Sequence, residues 1–314
     1  MPVDEGGSKG VSAIGKVPTG LDPGSQPDES SRMQKTPIRL EDNVEDVIGK
    51  AAAGLGFGKA SLAARAGIPV ERVRALLTGK VSSADDLTAV AKALDLRGDC
   101  LLELARKEWE PPVFEVEGLS LFTTPYPIPG YEEMTVNSYL VQGPGSTDAV
   151  IFDAGADATE LIREIRARSL EVRLILITHA HGDHVQDLER LLQETGAPPV
   201  WLNEKESLPG AELFRAGRSF AVGSLRIESR DTSGHSPGGT TYVIEGLGRP
   251  VAIVGDSLFC CSQGGARSAY AEALEHNRRE VFSLPEETVL CPGHGPLTTV
   301  GGEKRHNPFF PEFA

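Results

Sequence analysis

Between Leu174 and Asp187 the chain reads LILITHAHGDHVQD, an apolar run that ends in three histidines and an aspartate within six positions. An apolar run of this length closed by a polar turn reads as a buried strand. Alternate side chains of a strand share a face, so His179 and His181 project together, and Asp183 and His184 follow at the start of a helix. Imidazole and carboxylate donors suit borderline divalent metals such as zinc, and also iron or manganese. The competing reading, solvated loop histidines, is weakened by scarcity: the chain has seven histidines in 314 residues, and three of them crowd this one turn. The run therefore predicts a metal site at the end of a buried strand.

The H-x-H-x-D-H string resembles the signature of the metallo-β-lactamase superfamily, and that resemblance implies further ligands downstream. His235 in TSGHSPGGT, Asp256 in VAIVGDSLF and His294 in VLCPGHGP fill those places in order, so the likeness spans about residues 113 to 314. By resemblance, His179, His181 and His235 form one metal site, Asp183, His184 and His294 the other, and Asp256 bridges the two. The implied cofactors are two divalent ions, zinc first, with iron or manganese as alternatives. They would lower the pKa of a shared water toward about 7. Asp183 would both ligate and orient that nucleophile. Asp153, at the end of AVIFDAG, resembles the aspartate that supports such a site from outside; a turn-former before Gly155 is the other reading.

The segments GDSLF, CPGHGP and EKRHNPFF are together similar to glyoxalase II and its small bacterial relatives. This implies hydrolysis of a thioester such as a hydroxyacyl-glutathione. Lys304 and Arg305, and with them His306, would then bind an anionic group of the substrate, against the alternative of a solvated tail. The stretch CCSQGGARSAYAEALEH departs from the glyoxalase pattern, and the long C-terminal helical substrate domain of full-length glyoxalase II is missing, which leaves lactones and phosphodiesters open. Two other readings stand beside the thioester hydrolase. One is an iron-dependent sulfur dioxygenase of the same fold; the other is a DNA-binding regulator with a metal-binding sensor domain.

Upstream, residues 1 to 43 are rich in Gly, Pro, Ser, Asp and Glu and read as a disordered tail. From 44 to 110 five short Ala- and Leu-rich helical stretches predict a small all-α domain. Within it GKASLAARAGIPVERVRALLTG resembles the helix-turn-helix of phage-repressor-type domains. The start of its second helix holds Pro69, Val70, Glu71 and Arg72, poor readers of base edges, so a structural or dimerising role is favoured over DNA binding. Glu110, Pro111 and Pro112 mark the expected boundary, and 111–314 reads as strand, loop and helix in alternation. The expected fold is thus α+β: a two-sheet αβ/βα metallo-β-lactamase sandwich preceded by a helix-turn-helix-like domain.

A net charge of -14 argues against a polyanion binder and for a small-molecule substrate, leaving nucleic acid to the helical domain alone. The four cysteines include the adjacent pair Cys260 and Cys261, which is no disulfide framework and suggests a reducing, cytoplasmic setting. Neither thiol is expected to be catalytic, and a homodimer is open. The N-terminal residues lack the apolar core of a signal peptide, and no run is long enough to span a membrane. His276, in the polar stretch EALEHNRRE, is expected to be a surface residue. GLGFGKAS lacks the spacing and the preceding strand of a phosphate loop.

Overall fold

The apolar runs LSLFTTP, SYLVQG, AVIFDAG, VRLILITHA, PVWLNE, LRIESRD, TTYVIEG, PVAIVGDSLF and TVLCPG, which read as strands in the sequence, all contain strands in the computed structural model, which describes residues 38–80 and 83–314. The first sheet runs in the order β1 (Leu119–Pro125), β2 (Thr135–Gln142), β3 (Asp148–Phe152), β4 (Glu171–Leu176), β5 (Val200–Asn203) and β6 (Glu212–Phe214). From β3 onward its neighbours are parallel. The second comprises β7 (Ser219–Val222), β8 (Leu225–Asp231), β9 (Thr240–Glu245), β10 (Val251–Gly255), β11 (Val289–Pro292) and β12 (Thr298–Thr299), paired in sequence order. Within it only β10 and β11 run parallel. Three strands escaped the sequence reading, namely β6, β7 and β12, because each is four residues or fewer and shows too little alternation to register.

The strands read as continuous apolar runs because both faces of each sheet are covered. In β10, Val251 and Ile253 enter the core between the sheets, with Tyr139, Val150 and Leu176 of the first sheet opposite. Ala252 and Val254 point the other way, into a separate cluster. On the outer face of the first sheet, Ile151 and Ile175 pack under α6 (Thr159–Ala167) and α8 (Leu188–Thr195), through Leu161, Ile165 and Leu191. The two-sheet sandwich expected from the sequence is the observed fold.

The five upstream helices form as read: α1 (Val44–Gly54), α2 (Lys59–Ala66), α3 (Val70–Leu76), α4 (Ala84–Leu94) and α5 (Gly98–Arg106). At the start of α1 the Asn43 amide donates to the Asp46 carboxylate at 2.9 Å, and at α4 the Asp86 amide donates to the Ser83 hydroxyl at 3.1 Å. Helix α2 stops at Gly67, which takes the left-handed φ of 69° that a side chain would resist. Val47, Leu62, Val73, Leu87 and Leu101 of these helices share one buried cluster with Val243, Ala252, Val254 and Leu290 of the second sheet and with Phe309 and Phe310. The helices are therefore the outer layer of that sheet, and residues 38–314 form one compact unit. The stretch Glu110–Pro112 links helix to strand without interrupting the core.

The expectation of disorder over 1–43 divides in two. Residues 1–37 lie outside the described residues, whereas 38–43 are ordered, which corrects the reading there. The physical reason is Asp42: its buried carboxylate accepts from Lys50 of α1 and from Ser262. Five further helical segments follow among the described residues: α7 (Gly182–Val185), α9 (Tyr270–His276) and the π-helical turn Asn277–Val281 that continues it, α10 (Val300–His306), where the sequence reading has only a basic tail, and a last short turn, Pro311–Phe313. Among the described residues no helix is long and apolar enough to cross a membrane.

Candidate metal centre

Asp153, the residue after β3, holds a left-handed φ of 57° and turns its buried carboxylate under the end of β4. There it accepts from the Thr178 amide and hydroxyl, each at 2.8 Å, and from His184 Nδ1 at 2.8 Å. A ring nitrogen that faces a carboxylate donates to it, so His184 presents Nδ1–H to Asp153 and turns Nε2 toward the interior of the cluster. Backbone carbonyls impose the same tautomer on two other rings. His294 Nδ1 donates to the Thr135 carbonyl at 2.6 Å, and His235 Nδ1 donates to the Gly265 carbonyl at 2.9 Å. The turn carrying His294 is itself tied down. Asn137 donates to the carbonyls of Pro292 and Gly295 at 3.0 and 2.8 Å, and the Tyr139 hydroxyl donates to Pro292 at 2.6 Å.

The free nitrogens converge on Asp256, which leaves the end of β10. Its Oδ1 lies 3.3 Å from His184 Nε2, and its Oδ2 lies 3.3 Å from His294 Nε2, 3.4 Å from His235 Nε2 and 3.9 Å from His179 Nε2. Asp183 Oδ2 stands 3.2 Å from His294 Nε2 and 3.7 Å from His184 Nε2. His181 Nδ1 meets His235 Nε2 at 3.0 Å. Donor atoms of His179, His181 and His235 lie within 4.8 Å of one another, as do those of Asp183, His184 and His294, and those of His179, His184 and Asp256. All seven residues singled out in the sequence are thus brought together.

Close backbone approach makes this possible. A Cβ on Gly293 would fall 2.1 Å from Asp256 Oδ1 and 2.7 Å from the His184 ring, so only glycine fits.

Burial makes the cluster costly unless a cation completes it. His179 Nε2, His184 Nε2 and Asp256 Oδ1 are buried and have no hydrogen-bond partner. Buried polar atoms left unpaired in this way carry a desolvation penalty of roughly 1–3 kcal/mol each. Three such atoms facing one another fit a divalent metal pair better than they fit a purely structural role. The electrostatics agree. Burial works to raise the Asp256 carboxyl, but the His294 and His184 rings override it and hold the group well below the usual carboxylate range. Asp183 is lowered in the same way, against its own burial, by His294 and His184. Burial also pushes His179 well below the ordinary imidazole value. In His184 burial works downward too, yet Asp153 and Asp256 together raise it to about 10.

Lys304 and Arg305, expected at the substrate, are not among the residues brought together. They sit on α10, where Lys304 Nζ lies 3.8 Å from Glu286 and over the Phe313 ring, and their carbonyls accept from Arg97 and Cys100 of the helical layer. His306 stacks on Trp109 and pairs with Glu103. His276 is also outside the cluster, bonded to Ser233. Cys260, Cys261 and Glu303 form a separate buried group. The Glu303 carboxylate is already satisfied there by the Cys261 amide, the Thr298 hydroxyl and the Asn307 amide, as a structural anchor would be.

Sequence reasoning missed the contribution of residues 39–42. Their backbone packs on Gly295, next to His294, with the Glu41 amide 3.1 Å from where a Gly295 Cβ would stand. Arg39 reaches across to pair with Glu133. No local motif could have signalled this, because these contacts span more than 90 positions of chain.

Comparison with known proteins gives a consistent result. The family description "Metallo-beta-lactamase superfamily" matches residues 131–294. The chain is 30% identical to "Hydroxyacylglutathione hydrolase GloC" of Haemophilus influenzae, over 52% of this chain and 87% of that protein. It is also 30% identical to "Probable metallo-hydrolase YqgX" of Bacillus subtilis, over 52% of this chain and 88% of that protein. Among solved structures, the BLEG-1 B3 metallo-beta-lactamase aligns with a TM-score of 0.51 at 29% identity, covering 60% of this chain and 99% of that one.

Proposed function

The chain belongs to the metallo-beta-lactamase superfamily, and on that footing we propose that it hydrolyses a thioester of the hydroxyacyl-glutathione type with two divalent metal ions. His179, His181 and His235 would hold one ion and Asp183, His184 and His294 the other, with the Asp256 carboxylate between them. When bound, the pair supplies Lewis acidity, which brings the pKa of water toward about 7 and polarises the acyl carbonyl.

The protein's own groups do the rest. Asp256 is held ionised by His184 and His294, so it offers both oxygens inward without taking up a proton. The Asp183 carboxylate, likewise kept ionised and beside His294 and His184, would accept a proton from the attacking water and fix its direction. Asp153, Thr135 and Gly265 lock three imidazoles in the tautomer that leaves Nε2 facing inward. A thiolate leaves readily, so attack on the carbonyl needs no covalent intermediate on the protein.

The observation that carries this reading is the convergence of four imidazole nitrogens on the buried Asp256 carboxylate, where His179 Nε2, His184 Nε2 and Asp256 Oδ1 have no hydrogen-bond partner. The name of the Haemophilus relative supports the choice of a thioester. Elemental analysis of the purified chain, combined with a panel of glutathione thioesters, lactones and phosphodiesters, is the test. Two metal equivalents with turnover confined to thioesters is the expected result. One iron per chain with oxygen-dependent attack on a persulfide would replace this reading with the sulfur dioxygenase.

A further inference from the structure

We infer that Lys50, on helix α1 and upstream of the family-matched region, is a positioning residue for the metal centre. Its effect passes through the loop that follows Asp256. The inference rests on the two-metal reading above.

Lys50 Nζ donates to the Gln263 carbonyl at 2.9 Å, lies 4.8 Å from the centre of the Phe259 ring and pairs with the Asp42 carboxylate. That same carboxylate accepts from the Ser262 hydroxyl. One ammonium thus engages three residues of a single short loop, directly or through Asp42. The loop is a tight turn, closed by reciprocal backbone bonds between Phe259 and Ser262 at 3.0 and 3.1 Å.

The next residues of the loop abut the cluster. A Cβ on Gly264 would fall 1.9 Å from the Asp256 carbonyl and 2.9 Å from His235 Nδ1, so the backbone there lies directly behind both. The Gly265 carbonyl fixes the His235 tautomer. On the other side the Phe259 ring meets His294 edge-on, with centroids 5.5 Å apart. His235 has no other anchor on Nδ1, whereas His184 and His294 are held by Asp153 and Thr135, which Lys50 does not touch. Lys50 therefore acts selectively on the metal site that contains His235.

From the C-terminal side Asn307 and Glu303 also hold this loop, through the Ser262 carbonyl and the Cys261 amide. Loss of Lys50 should accordingly loosen the loop without unfolding it. The Lys50 side chain is 23% exposed, so an uncharged replacement of similar length can reach water or pack on Phe259.

The test uses the full chain, stripped and titrated with zinc against a competing chelator, with thermal midpoints of the metal-free proteins alongside. Lys50→Met should weaken one metal equivalent by about ten-fold, in the range seen when outer supports of a ligand are removed. The other equivalent should be unchanged. The weakened equivalent should be the one that His235→Ala also weakens, and Lys50→Arg should restore it. Asp42→Asn, which frees the same loop from its other end, should reproduce the selective loss. Two equivalents held at wild-type affinity in Lys50→Met would overturn the inference. So would a parallel loss of both in step with a fall in thermal midpoint, which marks a purely structural role. Wild-type protein that takes up fewer than two equivalents would instead defeat the two-metal reading, and this inference with it.

Discussion

Asp256 shows how much one side chain depends on its neighbours. Its carboxylate lies within 3.3–3.9 Å of four imidazole nitrogens, and nothing of the Gly293 backbone can grow without striking it. Gly293→Ala should therefore abolish binding of at least one metal equivalent while the circular dichroism of the fold persists; wild-type metal content in that variant would refute the crowding. Asp183→Ala should remove turnover by at least a factor of about 100, the lower end of what a proton-handling group contributes. Full retained activity, measured on any substrate the protein turns over, would refute its assigned role. By contrast His276→Ala, which alters only a bond to Ser233, should leave metal content unchanged.

Proton linkage belongs to the same scale. In the metal-free protein Asp153 and Asp256 raise His184 to about 10. The ring is thus charged at pH 7, and a cation must displace that proton. Zinc uptake at pH 7 should release protons, visible as a dependence of calorimetric heats on buffer ionisation, and apparent affinity should rise with pH between about 6 and 8. Heats that do not vary with the buffer would contradict this. The sign for stability runs the other way. The stabilisation of the metal-free fold by protonated His184 is fully present below the ordinary imidazole value of 6.5 and disappears as pH rises through about 10.

At the scale of elements, the strands that matter for the site are those with the plainest sequence pattern. β3, β10 and β11 are buried or nearly so, β4 is buried at its C-terminal end, and each leads directly to a candidate site residue. Helix α10 was invisible, since VGGEKRH has two glycines and no apolar stripe. It forms because Thr299 caps it and because Glu303 reaches inward to the Cys261 amide, Thr298 and Asn307. Burial raises the Glu303 carboxyl to about 7 despite these donors. Glu303→Ala leaves three buried donors without an acceptor and should destabilise the chain by roughly 3 kcal/mol or more. Chemical denaturation would read the effect, and a loss under about 1 kcal/mol would show that the donors find other partners.

For the whole molecule, the decisive fact is that the helical layer and the second sheet share one core. Phe310 is fully buried in it, with the Phe282 ring edge-on to it and the Phe313 ring tilted beside it. Phe310→Ala should cost roughly 3–5 kcal/mol. The loss should appear in helices and sheets together, as a single unfolding transition. Separate transitions for the helical part and the sandwich would show two independent domains instead.

Local chemistry is enough to pick out the first part of the candidate site. The H-x-H-x-D-H turn lies within six positions, and the strand periods around it are set by alternation that any reader of the chain can count. His235, Asp256 and His294 are placed by the resemblance to the metallo-β-lactamase superfamily, which says where along the chain further ligands should fall. The sequence alone could not show what sits behind them. Lys50 and Asp42 reach their loop across more than 200 positions, the Thr135 and Gly265 carbonyls have no side-chain signature at all, and the contacts of Lys304 and Arg305 on α10 with Glu286, Arg97 and Cys100 are likewise long-range or local to that helix's surroundings. Ligand identity is written in residue types, whereas support and orientation come from backbone groups and distant contacts that exist only once the layers have packed.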